Sequence, residues 1–99
     1  MTDKSINVAF ANKKLESNFE NLHKGKFEEK QLYKFIERAI IDLKKNPICG
    51  TKIPKKLWPK SYIKEYQITN LWKYDLPNAW RLIYTIFEDK VMILNIILE

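Results

Sequence analysis

The chain has 99 residues, 45% of them apolar and 30% charged, which suffices for one hydrophobic core and is too short for two. No apolar run nears the ~20 residues that cross a bilayer, and the polar opening Met1 to Ser5 does not start a signal peptide, so a cytoplasmic, single-domain protein without membrane contact is expected. A single Cys49 excludes a disulfide within these residues, and the lone His23 lies in a different segment, which leaves no ligand set for a metal.

In chain order, Ile6 to Phe10 alternates in the period of a half-buried strand. Asn12 then suits the cap of a helix whose Leu15, Phe19 and Leu22 share one face, ending at Lys24-Gly25-Lys26. A second helix spans Phe27 to Lys45. It sets Leu32, Phe35, Ile36, Ala39, Ile40 and Leu43 in one stripe, with acids early and Lys44-Lys45 late, as the helix dipole favours. Asn46-Pro47 ends it. Prolines at 47, 54 and 59 forbid long regular structure up to Thr69, with room for a short helical turn at Ser61 to Gln67. Leu71 to Leu76 and Ala79 to Phe87 read as a hairpin about Pro77-Asn78, and Glu88-Asp89-Lys90 turns the chain into a last strand, Val91 to Leu98. The expected fold is α+β, in the order β-α-α-β-β-β, with two helices packed on one face of a small, mainly antiparallel sheet. The opposite face is expected to stay open, with Arg81 on it.

The net charge is +6, and seven lysines (44, 45, 52, 55, 56, 60 and 64) fall between Lys44 and Lys64 without one acid. A solvated surface explains such a run, and so does an anionic partner. Among enzyme classes, two glycines supply no glycine-rich phosphate loop, and neither a Ser-His-Asp set nor a carboxylate cluster at metal-ligand spacing is visible. No cofactor is expected. RNA, by contrast, brings its own nucleophile, the ribose 2′-hydroxyl. An enzyme need only align it with the phosphorus, take its proton and neutralise the charge that develops. Arg81 offers a planar fork for two phosphate oxygens. A lysine crowded by like charges becomes a plausible base near neutral pH. Trp58, Tyr62 and Trp72 are surfaces on which a splayed base can stack. The competing structural roles are an Arg81 paired with Asp75 or Glu88, and tryptophans and tyrosines that pack within the sheet.

Four features together carry a resemblance: Asn46-Pro47 after the long helix, the basic loop Lys52 to Lys60, Leu71-Trp72-Lys73-Tyr74, and Trp80-Arg81-Leu82-Ile83-Tyr84. The chain resembles the RelE/ParE superfamily of type II toxin–antitoxin toxins. The resemblance implies a messenger-RNA endoribonuclease that acts on the ribosome and is silenced by a cognate antitoxin, through an acidic or amphipathic segment. It implies a catalytic phosphate site of Arg81 with lysines of the loop, Lys52, Lys55 or Lys56; RNA contacts are expected from Trp58, Lys60, Tyr62, Lys64, Trp72 and Lys73. Family members usually continue into a tail bearing a histidine, tyrosine, arginine or lysine near the scissile bond, whereas this sequence stops at Ile97-Leu98-Glu99. Two alternatives therefore stand beside the nuclease. One is a weak or inactive relative that binds nucleic acid or an acidic protein; the other is a gyrase-inhibiting toxin of the same superfamily.

Overall fold

The computed structural model describes residues 6–99; Met1 to Ser5, and the expectation about a signal peptide that rests on them, lie outside the described residues. Strand β1 (Asn7–Phe10) leads to α1 (Lys13–Leu22), where the Asn12 side chain accepts the Leu15 N–H at 2.8 Å and so satisfies one of the donors a helix start leaves free. Helix α2 (Phe27–Lys45) has the expected bounds, and the Glu29 carboxylate closes its first turn on the Lys26 N–H at 2.8 Å. Its stripe is the one predicted, with Leu32, Ile36, Ala39 and Leu43 buried. Among the described residues no helix is long and apolar enough to cross a membrane.

Beyond Asn46 the order departs from expectation. A two-residue strand β2 (Thr51–Lys52), one 3₁₀ turn (Lys55–Leu57) and α3 (Lys60–Tyr66) precede β3 (Trp72–Asp75), β4 (Trp80–Phe87) and β5 (Lys90–Leu98). The prolines that forbid a long element permit these short ones. Pro59 stands just ahead of the first turn of α3, where a missing N–H costs nothing, and Gln67 stops the helix in the left-handed region at φ 53°. The α+β class holds, with a strand and a helix more than the expected order contains.

The sheet runs β1-β5-β4-β3-β2, with β1 parallel to β5 and every other pair antiparallel. One face carries Leu82, Tyr84, Val91 and Ile93 against α1 and α2. The other face is not open throughout. Ile68, Leu71, Ile83 and Leu94 form a second buried cluster beneath Trp58, Tyr62 and Tyr66 of the connector. Strand alternation makes both faces of β4 and β5 apolar, and each such side chain gains about 1.5–3 kcal/mol on leaving water, so the connector folds over the sheet. Two hydrogen bonds fix it there, Asn95 Nδ2 to the Tyr62 hydroxyl at 3.2 Å and Asn12 Nδ2 to the Tyr66 hydroxyl at 3.0 Å, while Trp58 Nε1 donates within the connector to Ile53 O at 2.8 Å. Asn95 points to Tyr62 because the β4–β5 register slips by one residue, placing Ile83 opposite Asn95 and Tyr84 opposite Ile93.

The β3–β4 hairpin holds a conformational cost. Asn78 and Ala79 both have positive φ, 64° and 66°, the pair a two-residue turn needs to match strand twist. Asparagine tolerates that region; alanine does not favour it. Replacing Ala79→Gly should therefore raise stability by roughly 0.5–1 kcal/mol in a denaturant titration, the strain relieved exceeding the extra entropy of the unfolded glycine. Unchanged or lower stability would contradict the assigned turn.

Candidate functional site: a cationic hollow at the uncovered end of the sheet

Helix α3 covers the part of the second face that includes Leu94 and Met92 and leaves the Arg81 end open. There a hollow of about 410 Å³ remains. Its floor is Leu71, Ile83 and Ile97, and its connector wall is Ile53, Pro54, Leu57 and Pro59. Tyr62, Lys73, Arg81 and Glu99 supply the polar groups. Pairing explains the convergence, because Lys73 lies opposite Ile83 and Asp75 opposite Arg81, so all four side chains project from one face.

Arg81 is held by two carboxylates. Its Nη1 lies 2.6 Å from Glu99 Oε1, and its Nε lies 3.6 Å from Asp75 Oδ1. The Asp75 pairing is the structural role expected from the sequence; the Glu99 contact replaces the expected Glu88. Glu99 is placed by the sheet, its N–H donating to Ala79 O at 3.0 Å. With side-chain exposures of 30% for Arg81, 68% for Asp75 and 55% for Glu99, these pairs contribute about 0–1 kcal/mol each. A charge-assisted, forked hydrogen bond to an oxyanion is worth roughly 1.5–3 kcal/mol. An anion entering the hollow would compete with Glu99 for the same guanidinium.

Comparison with known proteins gives no match: no family model, no curated protein and no solved structure is significantly similar to the chain.

The residues singled out in the sequence separate into groups. Arg81, Lys73 and Tyr62 meet at the hollow. Lys52 lines its rim, but the register sets Lys52 opposite Trp72 while Thr51 lies opposite Lys73, so the side chain of Lys52 departs toward the helix face. Lys55 and Lys56, in the 3₁₀ turn, and Lys60 and Lys64, on α3, are exposed and do not line the hollow. Trp58 packs into the second cluster. Trp72 is on the helix side, its ring stacked on Tyr84 at 6.2 Å and 19°, and the structure does not bring it to Arg81. Strand period alone separates Trp72 from Lys73, since adjacent residues point to opposite faces.

The residues missed in the sequence are those that place the connector. Tyr84 is fully buried among the helix-side core, and its hydroxyl donates to Pro47 O at 2.7 Å while accepting the Gly50 N–H at 3.2 Å. Gly50 must be glycine, because a Cβ there would overlap the Lys73 carbonyl and the Tyr84 hydroxyl. Ile53 N–H then reaches Leu71 O at 2.8 Å and brings the connector wall beside β3. Burial pushes the Tyr84 phenol up to about 12, against the opposing pull of the Gly50 N–H bond. Tyr74 is likewise raised to about 12, by burial first and then by donation to Asp42 Oδ2 at 2.5 Å.

A raised phenol is a stability statement with a definite sign. The contribution is complete below the free tyrosine value of about 10 and is lost as pH rises from there through about 12. Denaturant titrations between pH 9 and pH 12 should show stability falling across that window (about 10 to 12) together with phenolate absorbance. Tyr84→Phe should cost roughly 1–3 kcal/mol at neutral pH, by stranding the Pro47 carbonyl and Gly50 N–H, and should flatten part of the alkaline decline. A neutral-pH stability equal to that of the parent chain would contradict the clamp.

Proposed function

We propose that the chain is a RelE/ParE-like toxin domain and that the hollow holds a phosphate of single-stranded RNA, with messenger RNA on the ribosome as substrate and a cognate antitoxin as protein partner. The convergence of Arg81 and Lys73 on one concave site supports this reading most directly. Arg81 presents a fork to two non-bridging oxygens, and Lys73 adds a point charge on the same side. The apolar floor lowers the local dielectric and strengthens both interactions. Lys55, Lys56, Lys60 and Lys64 spread positive charge over the outer surface of the connector, which suits attraction of a polyanion before docking.

Cleavage then follows from RNA's own chemistry. The 2′-oxygen bonds to phosphorus as the bond from phosphorus to the 5′-oxygen breaks. The products are a 2′,3′-cyclic phosphate and a free 5′-hydroxyl; the 2′-hydroxyl proton goes to a base or to water, and the leaving oxygen takes one up. Arg81 and Lys73 neutralise the extra charge on the phosphorane, which is where an electrostatic contribution is largest. A second reading, a binder without catalysis, is favoured by one observation: Glu99 already occupies a face of Arg81.

Controlled expression with mapping of transcript ends separates these readings. The nuclease reading expects new ends at ribosome-occupied codons. Arg81→Ala should reduce cleavage by about 100-fold and relieve growth arrest with an unchanged circular dichroism spectrum, and Lys73→Ala should act in the same direction, more weakly. Arrest with intact transcripts and damaged DNA would favour gyrase inhibition, and no arrest the silent binder. Toxicity equal to the parent chain in Arg81→Ala would remove Arg81 from the site.

A further inference from the structure

The hollow is larger and greasier than a phosphate needs. Two cations would suffice for the anion, yet the floor and connector wall are apolar and the half-open hollow measures about 410 Å³, within the range of about 300–1,000 Å³ usual for small-molecule sites. Such a volume suits one nucleotide and not a duplex. The acidic group among the lining residues is Glu99, a carboxylate in contact with the guanidinium that would take the phosphate.

Resting on the phosphate reading above, we infer that the hollow is a single-nucleotide site in which Glu99 selects the base: a phosphate displaces Glu99 from Arg81, and the freed carboxylate accepts hydrogen bonds from an exocyclic amino group. The base lies on the apolar wall, where Tyr62 and Ile53 offer flat and branched surfaces. A carboxylate is an acceptor only. It therefore favours cytosine, whose 4-amino group donates, over uracil, which presents a carbonyl oxygen at the same position. Selection and phosphate capture are coupled because both draw on the same pair, Arg81 and Glu99, 2.6 Å apart. Exposure of that pair keeps the exchange cheap, so an anion at ordinary affinity can drive it.

The test is a nuclear magnetic resonance titration of the full chain with CMP, UMP and inorganic phosphate, repeated in Glu99→Gln and in Arg81→Ala. CMP should bind roughly tenfold tighter than UMP to the unmodified chain. Glu99→Gln, whose amide can donate to a carbonyl, should bring the two within about twofold or reverse them, and should bind inorganic phosphate more tightly because the competing charge is gone. Equal affinity for CMP and UMP would overturn the inference, as would a preference that survives unchanged in Glu99→Gln. Inorganic phosphate binding that ignores Arg81→Ala would overturn the phosphate reading beneath it. Arg81-dependent phosphate binding without base preference would leave that reading standing and remove Glu99's role alone.

Discussion

The buried hydroxyl of Tyr84 is the point from which the connector and the hollow beside it are built. It sits at the centre of the helix-side core, yet its two hydrogen bonds go to Pro47 and Gly50, the first residues of the connector. A hydroxyl so deep must be satisfied, and leaving it unpaired would cost more than any surface ion pair of this molecule returns. The chain after α2 is thus tied to β4 before it pairs with β3. Gly50 admits that close approach, Thr51 and Lys52 form β2, and Ile53 follows onto Leu71. The wall of the hollow is a consequence of a bond made on the other side of the sheet.

That origin explains the mixed chemistry of the hollow. Strands β4 and β5 are apolar on both faces, which makes a second cover necessary, and a connector broken by prolines can supply only a partial one. The uncovered end retains an apolar floor with Arg81 and Lys73 beside it and Lys52 at the rim. Low dielectric around them raises the worth of any anion that enters, and the carboxylates of Asp75 and Glu99 hold Arg81 in the meantime. The lysines of the connector serve a longer-range field. Apart from Lys52 at the rim, Lys55, Lys56, Lys60 and Lys64 are exposed and outside the hollow, and charge so placed acts on encounter and is sensitive to salt.

Much of this was legible in the sequence where the physics is local. The α2 stripe, its charge gradient, the Asn12 cap and the three final strands follow from periodicity and capping, and each appears where those rules put it. Placing Arg81 and Ile83 on the face opposite Leu82 and Tyr84 follows from the same period of two. The folded connector was not legible, because its contacts are distant in sequence. Asn95 meets Tyr62 and Asn12 meets Tyr66 across separations of 33 and 54 residues, and no local pattern encodes either. The expectation of an open face failed for that reason. Of the lysine run only Lys52 reaches the rim of the hollow, while its other cations, Lys73 and Arg81, come from strands with ordinary composition. Grouping Trp72 with Lys73 ignored that neighbours in a strand face apart.

Tyr84 fixes the connector, and through it the hollow. Native-state hydrogen exchange on Tyr84→Phe measures this residue by residue. The Ile53 amide, bonded to Leu71 O, should lose protection while the amides of the β4–β5 ladder keep theirs. Protection at Ile53 equal to that of the parent chain, or a loss spread evenly over the whole sheet, would contradict it.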